Sequence, residues 1–341
     1  MTANSDNQEL NNIFHLFFYE LPTEFEIKNT SRGDNDFREV VIVKFKSGDK
    51  YVLKIAGNDF TFPQKIEIWK RCADEYRNLS YYCPKIFASK NGDYPRVEYK
   101  GHSCIVYMEE YSKYRTADSF DKKAISSKKI MDDALIMTAK VAAKKFVFCS
   151  YPSGYCLFDR FSHDDQADEV TENANEWKRY AETLPKQFEE KVRRIFNRWV
   201  QNREKLEIIY PSLPTSVFQA DLNTTNLLLD NSGNLVGVFD FNLCGKDVFL
   251  NCLFREIYSG SNDEVLKKIC AALKTVSPYY SFSDIEKEAA PLLYRCIKPL
   301  WFTQIEVLKE AKNNIDLLNR ILNETEYMQT RDIDFNKYMT Y

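Results

Sequence analysis

The sequence predicts an α+β fold of two lobes, a small antiparallel β lobe followed by a larger, mainly helical lobe. Short alternating runs of apolar and polar residues, separated by tight turns, fill residues 20–108, and such runs are typical of antiparallel strands. From residue 123 onward, apolar residues recur with helical spacing. A block of strands followed by a block of helices is typical of α+β proteins, and it predicts a cleft between the lobes.

The elements of the β lobe follow from local patterns. Residues 9–19 predict a short amphipathic helix, and residues 62–79 predict a helix with apolar residues along one side. We expect strands near 25–30, 38–46 and 51–56, a tight turn at 47–50, a strand begun by CPKIFAS, and two strands about Gly101. Together these elements predict one antiparallel sheet with a single inserted helix.

The remaining elements are mostly helices. Residues 123–148 predict a helix, residues 173–206 predict one or two long helices, and residues 250–341 are mostly helical. Between them, residues 216–247 hold two apolar runs around a turn, which predicts a hairpin. We find no internal repeat.

Composition and charge narrow the class of protein. The chain has 341 residues and a formal net charge of −3, which disfavours bulk attraction to nucleic acid or to an anionic membrane. Nine cysteines are scattered without a CxxC motif, which favours reduced thiols and a cytoplasmic protein. No window resembles a signal peptide or a membrane span. Three histidines, far apart in sequence, give little support to a histidine metal site.

The hairpin stretch carries the strongest functional signal. Asp221 and Asn226 have the D-x-x-x-x-N spacing of a kinase catalytic loop, in which the aspartate accepts a hydroxyl proton and the asparagine binds Mg²⁺. Asp240 ends the second run, and pairing of the two runs would bring it beside Asn226. A carboxylate and an amide oxygen suit Mg²⁺. A plain hairpin with polar ends would explain each residue taken singly.

Phosphoryl transfer also needs a cation on the phosphates and a loop over them. Lys54 ends an alternating run, and Gly33 lies in the preceding loop TSRGDNDFREV, whose backbone amides could approach phosphate oxygens. Glu75 is the preferred partner for the Lys54 ammonium, and Glu67 on the same predicted helix is the alternative. A solvated lysine, a hairpin turn and surface carboxylates are the structural alternatives. The candidate residues nevertheless favour a phosphotransferase through their combined order along the chain, which is Gly33, Lys54, Glu75, Asp221, Asn226 and Asp240.

These residues resemble the pattern of the aminoglycoside phosphotransferase and choline kinase-like superfamily of small-molecule kinases. The resemblance covers roughly residues 20–300 and is most specific in QADLNTTNLLLD and GVFDF. It implies a protein kinase-like fold with a nucleotide-binding lobe at 1–108, a hinge at 109–111 and a catalytic lobe at 112–341. It also implies ATP and Mg²⁺ as cofactors and a small-molecule hydroxyl as the acceptor.

The resemblance also implies a role for each residue that it matches. Asp221 would be the catalytic base, Asn226 and Asp240 the Mg²⁺ ligands, and Lys54 the phosphate-binding lysine paired with Glu75. The stretch SRGDN resembles the nucleotide loop and YMEEY the linker whose backbone meets adenine. The nucleotide-binding residues that these two stretches imply are Ser31, Gly33, Asn35, Met108, Glu109 and Tyr111.

The chain departs from the superfamily pattern next to the catalytic aspartate. Gln219 and Ala220 stand where the family usually has histidine and glycine, and Asn223 stands where many members have histidine. Glutamine can donate and accept hydrogen bonds, so the bracing role of that histidine can survive. A catalytically impaired nucleotide-binding protein is therefore an alternative. A protein kinase is disfavoured because no A-P-E segment follows Asp240.

The acceptor remains open at the level of sequence. An acidic stretch resembles a site for a polycationic acceptor, but acids also favour a first helical turn; its members are Asp159, Asp164, Asp165, Asp168, Glu169, Glu172 and Glu176. Residues 154–161 and Trp177 could wall a cationic ligand, although burial in the core is the favoured interpretation. Nothing in the sequence selects among aminoglycoside, choline, homoserine, thio-sugar or other hydroxyl acceptors.

Overall fold

The structure is a computed structural model that describes residues 2–33, 35–158, 168–257 and 262–340. The chain forms two compact units. Unit 1 contains residues 1–126 and 221–244, and unit 2 contains residues 127–220 and 245–341. Unit 1 is therefore built from two separate segments of the chain.

Unit 1 carries the large antiparallel sheet that the alternating runs predict. Its six strands are β1 (Glu24–Asn29), β2 (Phe37–Lys44), β3 (Lys50–Gly57), β4 (Ile86–Phe87), β5 (Arg96–Tyr99) and β6 (His102–Glu110). The order is β1-β2-β3-β6-β4, and β5 also pairs with β6. Strand bounds agree with the predicted ones to within about two residues, because alternation and turns mark them clearly.

A helix at the start of the chain covers one face of this sheet. Helix α1 (Thr2–Phe17) begins earlier than the predicted residue 9. Its apolar side chains Leu10 and Phe14 belong to a buried cluster with Val41 and Leu53 of the sheet. The apolar side of this amphipathic helix is therefore buried, and burial of its apolar surface stabilises the helix on the sheet.

The inserted helix and a small second sheet complete unit 1. Helix α2 (Pro63–Asn78) has proline at its first turn, where the missing N–H is tolerated. Its Trp69 ring lies 5.8 Å from the ring of Tyr107 in β6. The second sheet has the order β10-β9-β7; its strands are β7 (Arg115–Thr116), β9 (Leu227–Leu229) and β10 (Leu235–Val238).

Unit 2 is mainly helical. Its helices are α3 (Ser127–Ala142), α4 (Glu169–Ala181), α5 (Glu189–Ile209), α6 (Phe249–Glu256), α7 (Asn262–Val276), α8 (Asp284–Ile297), α9 (Phe302–Ala311) and α10 (Ile315–Thr330). Two short strands, β8 (Thr215–Phe218) and β11 (Gly245–Val248), pair antiparallel. Helix α3 ends six residues before the predicted residue 148. Of the one or two long helices predicted at 173–206, the structure has two, with Pro185 between them.

The two units divide the chain at positions other than the predicted lobe boundaries. Residues 112–126 and 221–244 group with the N-terminal residues, so the boundaries 1–108, 109–111 and 112–341 stay a prediction. Within the four described ranges, no helix is both long enough and apolar enough to cross a membrane.

Candidate active site

A hairpin in unit 1 brings the two predicted metal ligands to the same end of two strands. Strands β9 and β10 pair antiparallel, with Leu227 opposite Val238. One residue further on, the Phe239 N–H donates to the carbonyl of Asn226 at 3.1 Å. Asn226 and Asp240 therefore flank the open end of the hairpin, as the spacing of the two runs predicts.

Asp240 adopts an unusual backbone conformation at this end. Its φ of 59° and ψ of 67° lie in the left-handed region, which aspartate tolerates better than most residues do. The chain turns there into a 3₁₀ turn at residues 241–243. The Asp240 carboxylate accepts a hydrogen bond from Lys54 Nζ at 2.8 Å. Backbone strain of this kind is often concentrated at functional sites.

Lys54 pairs with a different glutamate from the one that the sequence suggests. Lys54 lies opposite Tyr107 in the β3–β6 register, so Glu109 is its diagonal neighbour on the same face of the sheet. The Glu109 carboxylate lies 3.1 Å from Lys54 Nζ. The predicted Lys54–Glu75 pair is thus wrong.

The helix geometry explains why the predicted partner is not used. Glu75 is rotated about 120° around α2 from Trp69, the residue that contacts Tyr107. Its carboxylate accepts instead from Asn78 Nδ2 at 3.1 Å. The alternative partner Glu67 is exposed. Identifying Glu109 required the register of two strands that are distant in sequence, which no local pattern provides.

Lys54, Asp240 and Glu109 shift one another's pKa values. Burial opposes the charged form of Lys54, but Asp240 and Glu109 outweigh it and hold the pKa of the ammonium well above its usual value. Burial also opposes ionisation of Asp240, yet Lys54 holds the pKa of this carboxyl below its usual value. Burial raises the pKa of Glu109, and the opposing effect of Lys54 does not cancel this rise, to which Asp240 also contributes. Lys54 and Asp240 are therefore charged at neutral pH.

The predicted base Asp221 stands just before the hairpin. Its Oδ1 accepts from the backbone N–H of Asn223 at 3.2 Å, and its carbonyl accepts from Asn226 Nδ2 at 3.4 Å. A tight turn closes this loop, because the Asn226 N–H donates to the Asn223 carbonyl at 2.8 Å. The side chain of Asp221 is half-buried. Asp221 and Asn226 thus belong to one hydrogen-bonded loop.

The residues before Asp221 are buried in unit 2. Gln219 is fully buried, and Ala220 is almost so. The Ala220 carbonyl accepts a hydrogen bond from Nη2 of Arg255, whose guanidinium lies 3.5 Å from the ring centroid of Tyr155. A buried arginine therefore holds the peptide next to Asp221, at the point where the chain departs from the superfamily pattern.

The predicted nucleotide loop connects β1 and β2. The Ser31 hydroxyl accepts from the backbone N–H of Arg38 at 2.9 Å, which ties the two ends of the loop together. Gly33 has a φ of 90°, a conformation that favours glycine. Asn35 is exposed. Asp34 lies outside the described residues.

The predicted adenine linker is partly built into the sheet. Met108 and Glu109 belong to β6 and pair with β3 on one side and β4 on the other. The Glu110 N–H donates to the carbonyl of Lys85 at 2.8 Å. Tyr111 is the first residue beyond the strand. Backbone groups at 108 and 109 are thus engaged in the sheet, and the side chain of Glu109 points to Lys54.

Four of the eleven predicted site residues line one cavity of about 910 Å³ within unit 1, namely Lys54, Glu109, Tyr111 and Asp240. The lining does not include the other seven, which are Asp221, Asn226, Glu75, Ser31, Gly33, Asn35 and Met108. The cavity also contains two arginines, Arg32 and Arg38, that our sequence analysis missed. Their signal was available, since both lie in the stretch TSRGDNDFREV.

In the part of the acidic stretch that the structure describes, Asp168 and Glu169 make contacts that stabilise the fold. Asp168 caps α4 by accepting from the Thr171 N–H, and it pairs with Arg203. Glu169 lies 3.7 Å from Arg255, and Trp177 is fully buried in the core. The exposed members are Glu172 and Glu176. Asp159, Asp164 and Asp165, with residues 159–161 of the aromatic stretch, lie outside the described residues.

Solved structures of small-molecule kinases share this fold. A microcompartment-associated aminopropanol kinase matches with 14% identity over 95% of each chain and a TM-score of 0.54. An amicoumacin kinase, in complex with AMP-PNP, Ca²⁺ and its ligand, matches with 13% identity over 99% of each chain and a TM-score of 0.55. A spectinomycin phosphotransferase with ADP and spectinomycin matches with 10% identity over 97% of each chain and a TM-score of 0.50.

These similarities confirm the predicted α+β fold, which the chain shares with these solved small-molecule kinases. No protein-family model and no curated protein sequence matches the chain.

Proposed function

We propose that this protein is a phosphotransferase that uses ATP and Mg²⁺ to phosphorylate a hydroxyl group of a small molecule. The observation that carries the proposal is the 2.8 Å ion pair between Lys54 and Asp240 in the large cavity of unit 1. It joins a strand lysine to the hairpin that bears Asn226, across 186 residues of sequence. A fold shared with solved small-molecule kinases supports the proposal.

Two residues of this chain accept the proton of the acceptor hydroxyl and offset part of the negative charge of the phosphates. As the oxygen of the acceptor hydroxyl attacks the γ-phosphorus, Asp221 accepts the proton of that hydroxyl. The bond from that phosphorus to the bridging oxygen breaks, and the electron pair stays on the ADP that leaves. Lys54 holds the phosphates and offsets their negative charge. The products are the phosphorylated acceptor and ADP.

The residues at the end of the hairpin fit a magnesium ion. Asp240 is ionised and faces the cavity, and Asn226 supplies an uncharged amide, so the donor set is the hard oxygen set that Mg²⁺ prefers. When bound, the ion neutralises charge on the β- and γ-phosphates. Lys54 shares Asp240 in the structure, so Lys54 and the ion would both be held by this one carboxylate.

An acceptor of the amino-alcohol, aminoglycoside or sugar type fits the proposal. The similar solved structures include kinases for aminopropanol, amicoumacin and spectinomycin. We also propose that the protein acts in the cytoplasm and needs neither nucleic acid nor membrane. The nine cysteines all lie in the described part of the chain, and none forms a disulfide, which supports a reducing compartment.

Replacing the base tests the proposal directly. Asp221→Asn removes the proton acceptor but keeps the size of the side chain, so transfer should fall by about 100-fold or more. Binding of Mg·ATP should change little, because Asn226 and Lys54 remain. The measurement is ADP release over a panel of amino alcohols, sugars and antibiotics, with thermal shift by Mg·ATP for binding.

The exposed Asp49, in the turn between β2 and β3, provides the matched control as Asp49→Asn. Full transfer by Asp221→Asn would refute the role of base. Stabilisation of the wild-type protein by Mg·ATP, without turnover of any acceptor, would favour a catalytically impaired nucleotide-binding protein. Transfer to peptides would instead favour a protein kinase.

A further inference from the structure

Arg38 is a cation in the cavity of unit 1 to which the proposed function gives no role. It is the second residue of β2 and lies opposite Ala56 of β3, two residues along from Lys54. Side chains alternate along a strand, so Arg38, Ala56 and Lys54 share one face of the sheet. Both Arg38 and Lys54 line the cavity. Arg38 therefore extends the positive side of the site toward the nucleotide loop.

The Arg38 guanidinium is held in position. Its Nη2 donates to Asp36 at 2.5 Å, and Asp36 in turn accepts from Asn58 Nδ2 at 2.9 Å. The ring of Phe60 lies 5.5 Å from the guanidinium carbon. At the backbone, the Arg38 N–H donates to Ser31. These contacts place the side chain in advance, so little conformational freedom remains to be lost when a ligand binds.

Part of the hydrogen-bonding capacity of Arg38 is unused. A guanidinium has five N–H donors. The Nε atom of Arg38 is buried and has no hydrogen-bond partner among the described residues. A buried donor without an acceptor is unfavourable. The planar fork of arginine suits the oxygens of a phosphate in the cavity.

We propose that Arg38 binds the β- or γ-phosphate of the nucleotide and offsets charge on the phosphoryl group during transfer. This inference rests on the proposed function. The bond changes are those already given, with the electron pair on the departing ADP and the acceptor proton on Asp221. Arg38 contributes by placing a fixed charge beside the phosphates.

Binding of a series of nucleotides tests this role without knowledge of the acceptor. Dissociation constants for adenosine, AMP, ADP and ATP, each with Mg²⁺, are measured by calorimetry for the wild-type protein, R38Q and R38K. For R38Q we expect affinity for ADP and ATP to fall by about tenfold or more, as for loss of a charge-assisted hydrogen bond. Affinity for adenosine and AMP should be unchanged. R38K should lose affinity for the same two ligands, by a smaller factor, because it keeps the charge without the fork.

R96Q is the matched control, because Arg96 is exposed in β5 and does not line the cavity. If R38Q fails to fold, the dissociation constants of R38K test the role of Arg38, since R38K keeps the charge beside Asp36. An equal loss for all four ligands, or none, would overturn the role of Arg38 and leave the proposed function standing. A wild-type protein that binds none of the four would overturn the proposed function, and this inference with it.

Discussion

Lys298 carries an amine that folding places in an unfavourable environment. It is 2% exposed, donates to the carbonyl of Ile257 and lies 5.3 Å from the ring of Trp301. Burial lowers the pKa of this lysine to about 7, against the opposing effect of Glu256. In the unfolded chain its pKa is about 10.4. Between these values the unfolded chain binds one proton more than the folded protein.

The free energy of unfolding should therefore rise with pH from about 7 to 10 through Lys298, by up to about 1.4 kcal/mol per pH unit. Lys298→Met removes the titrating group and keeps an unbranched apolar side chain. We expect this variant to be more stable than the wild-type protein at pH 7, with a flatter dependence on pH. Urea unfolding at pH 7, 8 and 9 measures both effects. The exposed Lys312, changed to Met, is the control, and an unchanged slope in Lys298→Met would contradict the assigned pKa.

Single residues also show what a sequence can and cannot predict. The pairing of Asp240 with the end of the hairpin was predictable, because the distance along the chain from Asn226 is short and a turn determines it. The partner of Lys54 was not, because Glu109 reaches it through the register between β3 and β6. The stretch YMEEY does not show on its own which way the Glu109 carboxylate points.

At the scale of elements, the hairpin depends on one close approach of two backbones. Gly237 of β10 lies against Tyr82, whose N–H donates to the Val236 carbonyl and whose carbonyl accepts from the Val238 N–H. A Cβ at Gly237 would stand 1.7 Å from the Tyr82 carbonyl oxygen. Only glycine fits there without movement of the backbone. Asp240 follows three residues later, so this contact helps to fix the position of the carboxylate.

Gly237→Ala should therefore destabilise the protein by about 3 kcal/mol, the upper part of the range for overpacking. It should also weaken the binding of Mg·ATP, because Asp240 would be displaced. Thermal unfolding and calorimetry provide the two readouts. Gly57→Ala in β3 is the matched control, with its nearest neighbour Cys104 Sγ at 3.1 Å and a smaller loss expected. Equal stability of the two variants would show that the backbones separate easily.

Regular elements were more predictable than their ends. Strands β1 to β3 follow from alternation, and α2 from its apolar side and its initial proline. Helix α3 ends at Ala142, although apolar residues continue to Phe148. Three residues beyond that end, Lys145 has a positive φ of 50°. Apolar spacing alone cannot locate such an end, because it records burial and not backbone conformation.

At the scale of the whole molecule, the site belongs to a unit that the chain assembles from two distant segments. Residues 1–126 provide Lys54, Glu109 and Arg38, and residues 221–244 provide Asp221, Asn226 and Asp240. The second segment also fills part of the core of unit 1. Strand β9 pairs with β7, and the Phe241 ring lies 5.5 Å from that of Tyr76.

Residues 1–126 alone should therefore lack both a complete core and the proposed metal site. We expect this fragment to unfold without a sharp transition and to bind no Mg·ATP, because β7 and the face of Tyr76 would be exposed to water. Joining residues 221–244 to it through a flexible glycine-serine linker should restore cooperative unfolding. The same joined chain with Asp240→Asn should fold but bind Mg·ATP more weakly, which separates the loss of core from the loss of charge. Circular dichroism during heating and calorimetry with nucleotide make the comparison. If residues 1–126 alone unfolded as sharply as the joined chain, the second segment would be an attachment to unit 1 and not a part of its core.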